Sequence, residues 1–166
     1  THHGPTVNVP CLFIEVGSTE ATWGHLGAAQ ILASIIREGL LDSPGATWNQ
    51  EMHEGELVLV TLGGGHYAPR ANQLAAVEGV WLGHMLATYA LPFEQTDDGE
   101  VRGTWKQSIL AALKATRRSF PGGEIVCSMD KKAFKGWQRQ AIRSLLENEG
   151  VPLLTTKQIK ARLDLE

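Results

Sequence analysis

Leu57-Val58-Leu59-Val60-Thr61-Leu62-Gly63-Gly64-Gly65-His66-Tyr67-Ala68-Pro69-Arg70 is the stretch on which the reading of this chain turns. Its apolar, β-branched first half predicts a buried strand. Three glycines follow, which take backbone angles closed to other residues and let a ligand approach the main chain. An imidazole, a phenol and a guanidinium come next. Pro69 biases Ala68 towards an extended conformation, so the polar trio is expected on a shaped loop rather than a helix. Ligands of open α/β sheets bind just beyond the carboxyl ends of strands. A structural turn needs one glycine and no His-Tyr-Arg set, so a functional site is expected here.

Outward from this stretch, strands alternate with helices. Residues 10–16 and 124–129 read as strands, with shorter ones at Val80-Trp81-Leu82 and residues 151–154. Helical spacing covers Ser18 or Thr19 to about Glu38, then residues 105–119 and 132–149, and a tail from Lys157. Residues 72–77 fit either a short helix or an extended piece, and residues 85–90 read as helical. Residues 42–55 and 92–103 are polar and turn-rich, hence loops. The alternation predicts an α/β layered fold with a largely parallel central sheet flanked by helices. No repeat or low-complexity segment interrupts it.

With 166 residues, 43% of them hydrophobic, the chain suits one domain with its own core. No apolar run approaches the roughly 20 residues of a membrane helix. No secretory signal is recognised. Two cysteines, Cys11 and Cys127, fall in apparent buried strands. That is too few for a disulfide scaffold, so a reducing, cytoplasmic setting is expected. Charge is uneven. Residues 1–116 hold five Lys/Arg against twelve Asp/Glu, while residues 117–166 hold ten against six. A positive C-terminal part suits either a polyanion or a solvated helix face.

Six histidines occur. His66 is the foremost candidate, because a neutral imidazole serves as general base or metal ligand near pH 7. His2 and His3 are adjacent, so on an extended segment only one faces a site. His84 follows a strand and a glycine, a place that taken alone more often holds a satisfied core histidine. His25 and His53 read as surface residues. Glu15 lies in an apparent apolar strand, where a carboxylate is costly unless paired or ligating. It is either a structural partner of Arg70 or a site residue. Lys132 follows a strand end within Asp130-Lys131-Lys132, which either touches phosphate or supports a carbonyl, or is an exposed strand-to-helix turn. Lys135, Arg139 and Arg143 recur at helical spacing and would reach phosphates. Trp23, Trp81, Trp105 and Trp137 read as core. No G-x-S-x-G elbow is present, which disfavours a serine hydrolase. No close metal spacing such as H-E-x-x-H occurs either.

Taken together, Thr1-His2-His3-Gly4-Pro5-Thr6, Phe13-Ile14-Glu15-Val16-Gly17-Ser18-Thr19-Glu20 and Gly64-Gly65-His66-Tyr67-Ala68-Pro69-Arg70, with Gly83-His84, resemble the D-aminoacyl-tRNA deacylase family of archaea and plants. Gly103-Thr104-Trp105-Lys106-Gln107-Ser108, Ser119-Phe120-Pro121-Gly122-Gly123-Glu124-Ile125 and Phe134-Lys135-Gly136-Trp137-Gln138 look more like the plant branch. The resemblance runs from Thr1 to about Gly150. It implies hydrolysis of the ester joining a D-amino acid to the 3′ end of tRNA. It implies the C-terminal catalytic part of a longer protein, and zinc as cofactor. The site residues so implied are His66 as base or zinc ligand, with His3, Glu15 and His84 nearby. Gly64 and Gly65 would offer N–H groups to the carbonyl oxygen. Tyr67, Arg70, Lys132, Lys135 and Arg139 would hold substrate. Two other classes stay open from the residues: a non-catalytic tRNA-end or nucleotide-binding domain, and a zinc peptidase-like hydrolase.

Overall fold

The computed structural model describes residues 14–39 and 47–163. They fall into two compact units, one of residues 2–49 and one built from Gln50 onward.

In the first unit a 3-10 turn, Glu20–Thr22, precedes helix α1, Leu26–Arg37. The continuous helix expected from residue 19 to 38 is therefore broken. The Thr22 hydroxyl accepts from the Thr19 N–H at 2.9 Å and donates to the Thr19 carbonyl at 3.1 Å, closing the turn. Gly24 then interrupts, and His25 starts α1 anew by accepting from the Ala28 N–H at 3.1 Å. Of the strand expected over residues 10–16, Ile14–Val16 lie in no strand and are exposed; the rest lies outside the described residues. Cys11 and the double histidine His2-His3 also lie outside them.

The second unit is an α/β sandwich. Its elements are α2 (Gln50–His53), β1 (Leu57–Leu62), α3 (Pro69–Ala75), β2 (Val80–Leu86), β3 (Glu94–Gln95), β4 (Val101–Arg102), α4 (Trp105–Ser119), β5 (Glu124–Met129), α5 (Gly136–Asn148) and α6 (Thr156–Leu163). The main sheet runs β2-β1-β5, all parallel, so the expected architecture is borne out. Every residue of β1 is buried, as a central parallel strand with both faces covered requires. Period two is still present beneath the continuous apolar run. Leu57 and Leu59 pack with Leu74 of α3, Val126 and Ile159 of α6. Val60 and Leu62 face the other way, into a cluster with Ile109 and Leu113 of α4 and Ile142 and Leu146 of α5. Two helices cover each face.

Several expectations are corrected at element ends. Helix α3 begins at Pro69, so Arg70 lies in its first turn rather than on a loop. Ala68 caps it in the left-handed region, at φ 42°. Strand β2 runs through Leu86 because Gly83 is absorbed as an irregularity between Leu82 and His84. His84 is therefore inside the strand rather than after it, and residues 85–86 are not helical; only a 3-10 turn, Thr88–Ala90, follows. The loop after β5 holds a separate 3-10 turn, Lys131–Ala133, and extended Phe134 delays α5 to Gly136. Residues 151–154 reduce to one bridge, Cys127↔Leu153, because Pro152 has no N–H to extend a ladder. Within the loop expected over residues 92–103, β3 and β4 pair as a minimal antiparallel hairpin. Cys127 is a free, buried thiol, and burial pushes its pKa up to about 12.

Candidate functional site

Strand β1 leads through α3 to β2 on one side. Strand β5 leads through α5 to the Leu153 bridge on its other side. The chain thus diverges between the carboxyl ends of β1 and β5, the position where a parallel sheet opens a ligand crevice.

Backbone bonds fix the walls of that crevice. Gly63 donates to the Leu86 carbonyl at 2.7 Å, and Asp130 donates to the Leu62 carbonyl at 2.9 Å. Both the N–H and the hydroxyl of Thr88 donate to the Gly64 carbonyl at 3.0 Å. Gly63 and Gly64 have φ of 87° and 93°, which only glycine takes freely. A Cβ on Gly63 would stand 2.5 Å from the ring of buried Phe134. With its carbonyl tied to Thr88, the loop presents the Gly64 and Gly65 N–H groups, which donate to nothing among the described residues.

His66 and Tyr67 complete the turn, closed by the Ala68 N–H on the Gly65 carbonyl at 3.0 Å. His66 is half-buried, and its ring meets the Tyr67 ring edge-on at 5.2 Å. Tyr67 is 84% exposed. The Asn72 side chain donates to the Tyr67 carbonyl at 2.9 Å, tying the turn to α3. Arg70 reaches across to Asp130 at 3.3 Å. The same Asp130 oxygen, Oδ1, accepts the Lys132 N–H at 3.2 Å. The glycine loop, His66, Tyr67, Arg70, Asp130 and Lys132 are thereby held at the carboxyl end of the sheet.

The remaining expected residues are placed differently. Lys132 is exposed on its 3-10 turn, and Lys135 is the exposed N-cap of α5. Arg139 is turned back, donating to the Lys131 and Phe134 carbonyls at 3.0 and 2.9 Å, so it braces the loop after β5 rather than facing solvent as Arg143 does. Glu15 is exposed and in no strand, so the burial argument for its carboxylate does not hold; the ionic partner of Arg70 is Asp130. His3 lies outside the described residues. His84 pairs its Nδ1 with the Thr116 hydroxyl of α4 at 3.0 Å. That hydroxyl donates to the Ala112 carbonyl at 2.8 Å, so it accepts from His84 and the Nδ1–H tautomer follows. Burial lowers the His84 pKa. Among the described residues, no group of three or more His, Cys, Asp or Glu could hold a metal ion, so these residues do not by themselves fit a zinc site.

The sequence alone singles out neither Asp130 nor Thr116 as a site residue. Asp130 carried a signal, a carboxylate directly after a parallel strand, but read as the start of a turn. Thr116 gave none, since only the packing of α4 on Gly83 brings it to His84.

A model of the D-aminoacyl-tRNA deacylase family matches residues 1–154. A D-aminoacyl-tRNA deacylase of Arabidopsis thaliana is 45% identical over 161 residues, 91% of this chain and 50% of that protein. Those of Methanosarcina barkeri and Pyrococcus furiosus are 31% and 32% identical, covering 98% and 93% of this chain and 44% and 48% of theirs. The chain spans about half the length of the curated relatives it matches. A crystal structure described as a conserved protein of unknown function superposes with a TM-score of 0.59 at 23% identity, over 87% of this chain and 43% of that one, a likeness of fold. On the extent of the family match and of these identities, the chain belongs to the D-aminoacyl-tRNA deacylase family.

Proposed function

We propose that this chain carries the hydrolytic centre of an enzyme that cleaves the ester between a D-amino acid and the 3′ end of tRNA. One observation carries the reading: the Gly64 and Gly65 N–H groups have no acceptor among the described residues and sit beside half-buried His66 at the sheet's divergence point. Ester hydrolysis needs a positioned base and donors for the developing oxyanion. His66 takes a proton from the attacking water. The water's oxygen bonds to the carbonyl carbon, the tetrahedral oxyanion rests on the glycine N–H groups, and the ribose oxygen leaves with a proton. The family relation does not favour the binding-module or peptidase readings.

Around this centre the side chains suit a nucleic-acid end. Exposed Tyr67 offers a face for stacking the terminal base. Lys132 and Lys135, with Lys131, offer phosphate contacts. Zinc, implied by family resemblance, is retained as a proposal only with donors such as His3 that lie outside the described residues, and no step here depends on it. A cytoplasmic location fits the free buried thiol of Cys127. The test is hydrolysis of matched D- and L-aminoacyl-tRNA by the protein in full, including any sequence beyond these 166 residues. Release of the D-amino acid alone is expected. Equal rates for both, or none above the spontaneous rate, would sink the reading.

A further inference from the structure

The crevice holds one carboxylate that the hydrolytic scheme leaves unused. Asp130 is partly buried, its side chain 20% exposed, directly after β5. Its two oxygens are unequal. Oδ1 takes both the Arg70 guanidinium and the Lys132 N–H. Oδ2 has no partner among the described residues, and it faces Gly64. A Cβ built on Gly64 would lie 3.9 Å from Oδ2, already in van der Waals contact with it. At glycine, with φ 93°, that approach stays open.

An aminoacyl ester presents two polar features beside the scissile bond: the carbonyl oxygen and the α-ammonium, one carbon away. The glycine N–H groups suit the first. Resting on the deacylase reading above, we propose that Asp130 Oδ2 binds the α-ammonium of the aminoacyl group, making Asp130 a specificity-determining residue. A charge-assisted bond to a partly desolvated carboxylate rewards an amine and penalises a neutral replacement. Fixing the ammonium and the carbonyl also fixes two substituents of the substrate's α-carbon. Exchange of the remaining two, side chain and hydrogen, is then what separates D from L.

The test keeps the tRNA constant and changes only the acyl group. D-phenylalanyl-tRNA is compared with D-phenyllactyl-tRNA, in which a hydroxyl replaces the ammonium, each rate taken relative to spontaneous hydrolysis. The unaltered protein in full should prefer the amine at least about tenfold in kcat/KM, since a hydroxyl can still donate to the carboxylate but forfeits the charge that makes the ammonium's bond the stronger one. Asp130→Asn keeps an oxygen for Arg70 and the Lys132 N–H but removes the charge. It should lower kcat/KM for the amine about tenfold, leave the hydroxy acid within about twofold, and so erase the preference. Asp130→Glu should restore part of it. Absence of a preference in the unaltered protein would overturn the proposal without any variant. So would equal losses on both substrates in Asp130→Asn, which would reduce Asp130 to a brace for Arg70. Hydrolysis of neither substrate by the unaltered protein would fell the deacylase reading itself, and this proposal with it.

Discussion

Gly63 cannot carry a side chain without displacing Phe134, whose ring a Cβ would approach to 2.5 Å. Its φ of 87° adds strain for any L-residue. Gly63→Ala should therefore destabilise the second unit by about 1–3 kcal/mol, the usual cost of overpacking a core. The denaturation midpoint measures this, and a midpoint equal to the parent's would mean that the loop moves freely. His66, two residues past Gly64, makes the opposite demand. It is half-buried, packs edge-on with exposed Tyr67 and belongs to neither core cluster. His66→Ala should keep the parent's midpoint and lose about 10²–10⁴-fold in deacylation, the range for a general base. Near-normal turnover would remove His66 from the mechanism.

The pairing of β2 with α4 is where one element fixes another's chemistry. Gly83 lets Thr116 approach closely, and the hydroxyl then fixes the His84 tautomer. Burial lowers the His84 pKa below its ordinary value. The unfolded chain thus binds a proton at a pH where the folded chain does not. Stability falls as pH drops through the unfolded value of about 6.5 and levels off below the folded one. Urea midpoints between pH 7.5 and 5 should slope less in His84→Gln, which has no proton to take up; parallel slopes would show that other groups govern that window. This pairing was not legible in the sequence. Apolar runs did place β1 and β5, because burial on both faces leaves a continuous hydrophobic signature, while helical spacing placed α4. The turn that carries His66 and Tyr67 was legible from the glycines that directly follow a buried strand, but Arg70 was expected on that loop and stands instead in the first turn of α3. What escaped depended on pairing across the chain. β2 outlasts its own pattern because β1 pairs with it through Leu86. Asp130 matters through Arg70, 60 residues away along the chain. Arg139 has helical spacing with Lys135, yet the loop's unmet carbonyls claim it first.

At the scale of the whole molecule, the positive excess of residues 117–166 has to be divided between charges that hold the fold and charges that face solvent. Arg117 pairs with Glu149 and Arg162 with Glu124, while Arg139 braces the Lys131–Phe134 loop. Arg118, Lys131, Lys132, Lys135, Arg143, Lys157 and Lys160 remain exposed. The described residues do not by themselves assemble a zinc set. If zinc is bound, the protein in full should carry it stoichiometrically, lose activity to a chelator and regain it with zinc; metal-free active protein would end that proposal. For the exposed lysines, the expectation is electrostatic. Removing one lysine that neutralises a phosphate should flatten the log–log salt dependence of tRNA binding by roughly 0.7–0.9. Lys131→Ala/Lys132→Ala should therefore raise KM for aminoacyl-tRNA, reduce the slope by about one to two units, and leave saturated turnover near the parent's. Arg139→Ala should behave differently, lowering the denaturation midpoint by freeing the loop carbonyls, with a smaller change in slope. A small ester without the tRNA body should not register the lysine changes at all. An unchanged slope in the double variant would make this face merely solvated and place the acceptor stem elsewhere.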